Sequence, residues 1–148
     1  MTKEEEIKEL VHFATTSKSS VNRVVKLGLL EPMEVKLLKA KTDIDLTGYT
    51  RVIDKSGINH TIKNHGNEKK EQSRGQIAIT NEDFELIPEI IKSENVIYSG
   101  KNDLGKDCLL YEAHIGSLIF YIEEIRTGRK QLCLQTMYKR KKPTRSWF

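Results

Sequence analysis

The sequence lacks any stretch that could cross or enter a membrane. No run among its 148 residues approaches the roughly 18 apolar residues that mark a membrane-spanning helix. The first residues, Met1 to Glu6, are rich in acids and contain no apolar segment of the kind found in secretion signals. We therefore expect a soluble protein that acts in the cytoplasm and has no membrane partner.

Cysteine is scarce, and common enzyme motifs are missing. The two cysteines, Cys108 and Cys133, lie inside apolar, strand-like runs, which favours buried free thiols over a disulfide and suits a reducing compartment. The chain has no GxxxxGKS/T phosphate loop, no GxGxxG fingerprint, no CxxC pair and no GxSxG elbow. Phosphate-loop, dinucleotide-binding and serine-hydrolase signatures are thus all absent from the sequence.

Acidic residues are absent from the last part of the chain. Eight Lys or Arg residues and no Asp or Glu follow Glu124, and because the whole chain has a formal charge of +4, the part before carries −4. A basic end of this kind suits binding to a polyanion such as nucleic acid. A tail that only increases solubility is the alternative.

The length suits one domain, and the spacing of apolar residues predicts an α+β fold with helices first and an antiparallel meander after them. We divide the chain into an N-terminal helix with a short connection (residues 1–20) and a main domain (residues 21–148). Helices are expected at 2–15, 32–41 and 57–65 and from Thr80 to about Ile91 with a break at Pro88, and short strands at 21–29, 49–53 and 96–98.

The C-terminal meander is expected to contain strands at 107–114, 117–126 and 130–138. A two-residue turn after the first of these would place Leu109 opposite Ile122. A second turn, one residue longer, would place Ile122 opposite Leu134. In that register Tyr121 and Glu123 lie on the polar face, opposite to the apolar face that packs against helices.

Side chains that can move a proton or hold an anion are densest between Gly57 and Gln76. They are His60, Lys63, His65, Arg74 and Gln76. The two histidines are five residues apart, about 140° around a helix, whereas a helical zinc pair needs a spacing of four. We therefore expect no metal at this cluster.

The helix at 57–65 is predicted from its two ends. Ser56 is a suitable N-cap, and Gly66 is expected in the left-handed conformation that commonly terminates a helix. A polar, charged loop is expected to continue from there to Gln76.

Short motifs occur in order through and beyond this cluster. They are His60-x-x-Lys63-x-His65-Gly66, Arg74-Gly75-Gln76-Ile77, Ile79-Thr80-x-x-Asp83-Phe84-x-x-Ile87-Pro88 and Thr136-x-Tyr138. In this order they resemble the phage-encoded branch of the barnase–EndoU–colicin–RelE (BECR) superfamily of small metal-independent ribonucleases. The resemblance extends from about Leu27 to Tyr138 and implies a BECR-type ribonuclease fold.

The resemblance also implies an activity and a partner. The activity is endonucleolytic cleavage of RNA, with tRNA as one candidate substrate, by attack of the ribose 2′-hydroxyl on the adjacent phosphate. The products would be a 2′,3′-cyclic phosphate and a 5′-hydroxyl, and no cofactor would be needed. Because the superfamily contains many toxins that act inside bacterial cells, an inhibitory immunity or antitoxin protein is implied as a partner.

The site residues carried over from the resemblance are histidine, basic and hydroxyl groups. Histidine suits proton transfer near neutral pH, and Lys and Arg suit the charge of a phosphate in the transition state. The sequence leaves open which group is the base and which the acid. The expected catalytic residues are His60, Lys63, His65, Arg74, Thr136 and Tyr138, and the expected substrate-binding residues are Gln76, Lys139, Arg140, Lys141 and Lys142.

Structural alternatives exist for these residues, since Lys63 could lie on a solvated helix face and Arg74 could form a salt bridge within its loop. Either histidine could serve only its own helix, and Thr136 and Tyr138 continue the alternation of Leu132 and Leu134, so both could pack at the edge of the core. For the chain as a whole, the alternatives are a non-catalytic RNA-binding module and a phage structural or accessory domain.

Overall fold

The computed structural model describes residues 1–141 and has the α+β architecture expected from the sequence. Its strands form a six-stranded sheet in the order β1-β2-β6-β5-β4-β3. The last four strands form the expected antiparallel meander, whereas β2 pairs with β6 in parallel. The strands are β1 Val24–Leu29, β2 Thr50–Asp54, β3 Val96–Lys101, β4 Asp107–Ile115, β5 Ser117–Arg126 and β6 Gln131–Arg140.

The helices lie mainly before the meander, as expected. Thr80 and Asp83 form the predicted capping box, and Pro88 lies in the first turn of a separate short helix, so the predicted break is present. Within residues 1–141 the helices are α1 Lys3–Thr16, α2 Pro32–Thr42, α3 Lys55–His65, α4 Glu68–Ser73 and α5 Ile87–Ile90, with 3-10 helices at Asn81–Leu86 and Thr127–Arg129.

The core lies between one face of the sheet and the helices. Helix α1 contributes the predicted stripe of Ile7, Leu10, Val11 and Ala14, each at most 8% exposed. Because this stripe belongs to the same buried cluster as the sheet, α1 is part of one hydrophobic core with the main domain. The cluster also contains Phe84, Ile87, Leu109, Tyr111, Ile119, Leu134 and Met137.

Both ends of α3 differ from the sequence expectation. The N-cap is Asp54 and not Ser56, because the Asp54 carboxylate at the end of β2 accepts the backbone N–H of Gly57 at 2.8 Å. At the other end Gly66 has φ −96°, so the predicted left-handed conformation is wrong. Glycine still fits best there, because an added Cβ would lie 2.5 Å from the carbonyl oxygen of Ile62.

The segment expected to be a loop after α3 contains a helix. Asn67 caps α4 by accepting the backbone N–H of Lys70 at 3.0 Å, and α4 continues to Ser73. A helix of six residues spans fewer than two turns, so its periodicity is too short to stand out in the sequence. The polar segment is therefore an ordered turn of helix whose buried side is formed by Glu71.

The register of the meander differs by one residue from the expected one. Ile115 pairs with Ser117, so Gly116, with φ +70°, is the single residue between the strands instead of the expected two-residue turn. Leu109 therefore lies opposite Glu123 and not Ile122. As a result Tyr121 and Glu123 face the helices and are fully buried, which corrects their predicted place on the polar face.

A β-bulge in β6 changes the alternation of its side chains. Glu123 pairs with Leu134, but its neighbour Ile122 pairs with Thr136, so Gln135 is the extra residue. The expected pairing of Ile122 with Leu134 is therefore wrong. Because paired residues share a face, Leu134 faces the helices, whereas Thr136 and the residues that follow it in steps of two face the opposite side.

Helix α3 lies alongside the second half of β6. Strand β2 pairs with β6 at residues 131–133, and beyond that point α3 packs against β6. The two elements approach so closely that a Cβ added to Gly57 would lie 2.3 Å from the carbonyl oxygen of Leu134. The C-terminal end of α3 thus comes to lie beside Tyr138 on β6.

Candidate active site

The end of α3 and the end of α4 bring His65, Glu71 and Arg74 together. Nδ1 of His65 lies 3.2 Å from Oε2 of Glu71, and Nη1 of Arg74 lies 2.9 Å from Oε1 of the same carboxylate. The same Nη1 donates to the backbone carbonyl of Asn64 at 2.9 Å. One carboxylate therefore joins two of the residues that the sequence singles out.

Burial decreases across this cluster from the carboxylate outward. The side chain of Glu71 is 0% exposed, that of His65 is 16% exposed and that of Arg74 is 48% exposed. A buried carboxylate is costly unless it is paired and hydrogen-bonded, and here each oxygen has a partner. The cluster therefore presents an imidazole and a guanidinium to solvent, with their shared anion behind them.

Sequence reasoning missed Glu71, because residues 66–76 were expected to form a loop. The available signal was Asn67, a suitable N-cap for a short helix. On such a helix Glu71 and Arg74 are three residues apart and share a face. Recognising α4 would have placed both on one side and pointed to Glu71.

Aromatic side chains on β5 and β6 continue outward from His65. The His65 ring centroid lies 5.3 Å from that of Tyr138, and Tyr138 stacks on Phe120 with centroids 4.9 Å apart and an interplanar angle of 16°. The Arg140 guanidinium lies 5.7 Å from the Phe120 ring. We call His65, Tyr138, Phe120 and Arg140 the aromatic row. Its strand residues lie on the sheet face on which the bulge at Gln135 places Tyr138.

Two polar side chains near the cluster contain buried oxygens without a hydrogen-bond partner among residues 1–141. They are Oγ1 of Thr136 and Oε1 of Gln76. Thr136 shares its sheet face with Tyr138 but is only 7% exposed. The backbone N–H of Gln76 donates to the carbonyl of Glu71 at 2.8 Å, which ties Gln76 to the cluster through the main chain.

His60 and Lys63 lie apart from this hydrogen-bonded cluster. His60 is exposed, its ring is 3.3 Å from Nδ2 of Asn64, and it lines a separate depression of about 280 Å³ together with Glu124 and Gln135. Lys63 is exposed on α3. The structure thus brings together His65, Arg74 and Tyr138, and leaves the other histidine in a neighbouring depression.

The basic residues at the end of β6 point to different faces of the sheet. Lys139 pairs with Asp83 at 2.9 Å, and its side chain is 13% exposed. Arg140 and Lys141 are exposed, and Lys142 lies outside the described residues. The four residues expected to bind substrate as one block are therefore not equivalent.

Groups of three or more His, Cys, Asp or Glu side chains that could hold a metal ion do not occur within residues 1–141. The helices of the same range include none with the length and apolar character needed to cross a membrane. Cys108 and Cys133 are both buried free thiols.

The model of one protein family, described as phage-Barnase-EndoU-ColicinE5/D-RelE like nuclease3, matches residues 32–146, well over half of the chain. The chain belongs to this nuclease family. No curated protein and no solved structure gives a significant match. The family match agrees with the resemblance found in the sequence, and it covers every residue of the His65 cluster and the aromatic row.

For a nuclease of this family, nucleic acid is the substrate, and the cluster offers two groups suited to it. The His65 imidazole is a side chain of the type suited to proton transfer. The Arg74 guanidinium has donors left over after its Glu71 and Asn64 contacts, and a guanidinium matches the geometry of phosphate oxygens. Proton transfer and phosphate binding are thus available side by side.

Proposed function

We propose that this nuclease is a metal-independent endoribonuclease. The observation that carries the proposal is the cluster in which Glu71 holds His65 and Arg74 at 3.2 and 2.9 Å, next to the hydroxyl-bearing Tyr138 ring. Its groups provide proton transfer and cationic hydrogen-bond donors without a metal ion. These are the two requirements for cleaving RNA through its own 2′-hydroxyl.

The reaction is a transesterification at the scissile phosphate. A base removes the proton from the 2′-hydroxyl, the 2′-oxygen attacks phosphorus, and the bond to the 5′-oxygen breaks as that oxygen gains a proton. The products are a 2′,3′-cyclic phosphate and a 5′-hydroxyl. His65 is the proposed proton-transfer residue, and Arg74 stabilises the negative charge that develops on the phosphate oxygens.

The other expected site residues take supporting places in this proposal. Tyr138, in contact with the His65 ring, offers a hydroxyl donor to the RNA backbone. His60 and Lys63, earlier on α3, are proposed contacts for the neighbouring nucleotides, and Gln76 supports the Glu71 end of the cluster. Thr136 has a buried hydroxyl, so we give it a smaller role than Tyr138.

The substrate class follows from the chemistry, because only RNA has the 2′-hydroxyl that this reaction needs. A tRNA substrate, a toxin role in the bacterial cytoplasm and an inhibitory protein partner are implied by the superfamily and are part of the proposal.

The test is an incubation of end-labelled RNA, including tRNA, with the purified protein in excess EDTA. We expect cleavage, with 5′-hydroxyl and 2′,3′-cyclic phosphate ends on the products, and no cleavage at a position where the 2′-hydroxyl is replaced by hydrogen. RNA binding without cleavage would support the non-catalytic module instead. Restoration of activity by a divalent metal after chelation would contradict the proposed mechanism.

Variants locate the site within the same assay. His65→Ala should lower the cleavage rate by about 10²–10⁴-fold, the usual loss for a proton-transfer residue. His60→Ala, in the neighbouring depression, should lower it less. The matched control is His12→Ala, because His12 is an exposed histidine on α1, outside the matched family region, and this variant should retain full activity.

A further inference from the structure

The Glu71 carboxylate has no solvent-facing part, yet both of its oxygens are used. Oε2 faces Nδ1 of His65 at 3.2 Å and Oε1 faces Nη1 of Arg74 at 2.9 Å. An ionised carboxylate can only accept hydrogen bonds, so the nitrogen of His65 that faces it must be the donor. In the neutral ring this leaves Nε2 unprotonated and able to accept a proton.

The same carboxylate limits the orientation of Arg74. Nη1 is occupied by Glu71 and by the carbonyl of Asn64, both at 2.9 Å. The remaining N–H groups of the half-exposed guanidinium are then directed away from Glu71, where a phosphate can reach them. One buried anion therefore fixes the direction of both a proton acceptor and a cation.

Glu71 is itself held by the main chain. Its carbonyl accepts the backbone N–H groups of Arg74 at 3.0 Å and Gln76 at 2.8 Å, and its own N–H donates to the carbonyl of Asn67 at 2.9 Å. Tyr138 limits the position of the His65 ring from another side, at 5.3 Å between centroids. A residue fixed in this way can hold its partners within the narrow geometry that catalysis requires.

We infer that Glu71 is a positioning residue, which holds His65 in the tautomer with Nε2 free and directs Arg74 toward the scissile phosphate. This inference rests on the proposed function, since it assigns Glu71 a role in RNA cleavage. It adds to that function a residue that contacts neither the reacting atoms nor solvent. Its effect on the rate is exerted through the two groups it holds.

The first measurement does not depend on activity. In the wild-type protein, ¹⁵N chemical shifts of the His65 ring above the pH at which it is protonated should report a single tautomer, protonated at Nδ1. In Glu71→Gln the amide can rotate to donate to Nδ1 instead, as with an Asp-to-Asn change beside a catalytic histidine. We expect the shifts to move toward the other tautomer or toward a mixture of the two.

The second measurement is the rate of RNA cleavage at saturating substrate. Glu71→Gln should lower this rate by about 10²–10⁴-fold, because a mispositioned proton-transfer residue loses most of its contribution. KM should change little, since Glu71 makes no contact with RNA. Glu71→Asp keeps the charge with a side chain one methylene shorter, so it should recover part of the rate.

A matched control is Glu68→Gln, which removes an exposed carboxylate from the first turn of the same helix. It should leave both the tautomer and the rate unchanged. If Glu71→Gln does not fold, Glu71→Asp carries the test, because it keeps the buried negative charge while its shorter side chain weakens the contacts to His65 and Arg74. A wild-type rate and tautomer in Glu71→Asp would then contradict the inference.

The outcomes separate this inference from the proposed function. If the wild-type protein cleaves RNA and Glu71→Gln cleaves equally fast with an unchanged His65 tautomer, the positioning role is wrong and the ribonuclease proposal stands. If the wild-type protein cleaves no RNA, the proposed function is wrong whatever the tautomer. A loss of rate with an unchanged tautomer would contradict the role of Glu71 in holding His65, since the effect would then be exerted through Arg74 alone.

Discussion

Tyr138 is the residue at which packing and proposed chemistry can best be separated. Its ring contacts His65 and stacks on Phe120, whereas its hydroxyl is the proposed donor to RNA. Tyr138→Phe keeps the ring and should slow cleavage at saturating RNA with nearly unchanged binding. Unchanged cleavage would show that Tyr138 acts through its ring alone.

At Thr136, removal of the hydroxyl should affect stability and activity differently from its removal at Tyr138. Its Oγ1 is buried without a partner among residues 1–141, and a buried unpaired hydroxyl costs about 1–3 kcal/mol in proteins. Thr136→Val replaces it by a methyl group of similar size, so urea unfolding should show equal or greater stability. Cleavage should slow less than in Tyr138→Phe. A clear loss of stability would mean that the hydroxyl has a partner, such as water.

The two thiols should be unreactive in the folded protein. Burial, with the charge of Glu124 as a second cause, raises the pKa of the Cys108 thiol to about 11, and burial raises that of Cys133 further. Near pH 8 the thiolate fraction of Cys108 is then about 10²-fold below that of an ordinary cysteine. Labelling by iodoacetamide should be correspondingly slow, and urea should restore it for both. Fast labelling of the native protein would contradict this burial.

At the same scale, the sequence identified His65 and Arg74 but not the residue between them. Residue type and spacing can indicate that a histidine and an arginine occur near each other. They do not indicate a buried carboxylate, because burial is a property of the fold. The bulge at Gln135 was equally hidden, and it decides that Thr136 and Tyr138 leave the core side of the sheet.

The contact between α3 and β6 makes a prediction at the scale of elements. Alanine normally favours a helix over glycine by about 1 kcal/mol. At Gly57, however, an added Cβ would lie 2.3 Å from the backbone oxygen of Leu134, so α3 would have to move away from β6. Gly57→Ala should therefore destabilise the protein and, by displacing His65 relative to Tyr138, slow cleavage.

A matched control is Gly128→Ala in the turn before β6. A Cβ there would meet nothing within 4 Å, and its φ is not in the left-handed region. Urea unfolding of both variants provides the comparison. Equal stability of Gly57→Ala and the wild type would show that α3 can shift without cost.

Strand β2 is joined to the meander by a buried ion pair. Arg51 Nε donates to Glu123 Oε2 at 2.6 Å, Nη2 donates to the Tyr111 hydroxyl at 2.9 Å, and the two charged residues are at most 3% exposed. Arg51→Met leaves Glu123 buried without its cation, which should cost about 3–5 kcal/mol in urea unfolding. The variant that adds both Glu123→Leu and Tyr111→Phe should recover most of that loss, because the buried Tyr111 hydroxyl donates to Glu123 at 3.0 Å and would otherwise lose both of its partners. Failure of this triple variant to recover would show that the pair contributes more than charge compensation.

Helices and strands long enough to show a complete hydrophobic period in the sequence were predictable. Features that depend on contacts between elements were not. The stripe of α1 and the four strands of the meander follow from spacing in the sequence. The one-residue register shift at Gly116 did not, because a two-residue turn is the commoner connection. That shift moves Glu123 to the helix-covered face, where Arg51 meets it, so the ion pair was unpredictable as well.

At the scale of the whole molecule, basic residues lie at both ends of β6, with Arg126, Arg129 and Lys130 before it and Lys139 to Lys141 at its end. The chain has a sequence pI of about 9.0 and a formal charge of +4, and the acid-free segment after Glu124 contains β6 with Tyr138 and Arg140. We expect basic charge near the proposed site to increase the rate of encounter with nucleic acid and to supply phosphate contacts. The interior, by contrast, places its carboxylates Glu71 and Glu123 where cations already compensate them.

Neighbouring basic residues of β6 should differ in their contribution to RNA binding. Each cation that contacts a phosphate contributes about 0.7–0.9 to the slope of log K against log salt. Arg140 is exposed beside Phe120, whereas Lys139 already pairs with Asp83 at 2.9 Å. Arg140→Gln should therefore weaken RNA binding and reduce the salt slope by nearly one, while Lys139→Gln should leave the slope unchanged and lower stability.

Reversing the charge of Lys139, Arg140, Lys141 and Lys142 together should flatten the salt dependence further, because Arg140, Lys141 and Lys142 are proposed to bind RNA. Cleavage of saturating RNA should fall little, because these three residues are not proposed to react. Filter binding between about 50 and 200 mM salt, with urea unfolding of each variant, measures both effects. Lys139→Gln is the control for Arg140→Gln. Both variants remove one positive charge from adjacent positions of β6, but the two side chains lie on opposite faces of the sheet. Equal slopes for the wild type and the fourfold reversal would reduce the basic end to a solubilising tail. The case for RNA would then rest on the His65 cluster alone, because phosphate contacts at the end of β6 cannot be present without a salt-dependent contribution to affinity.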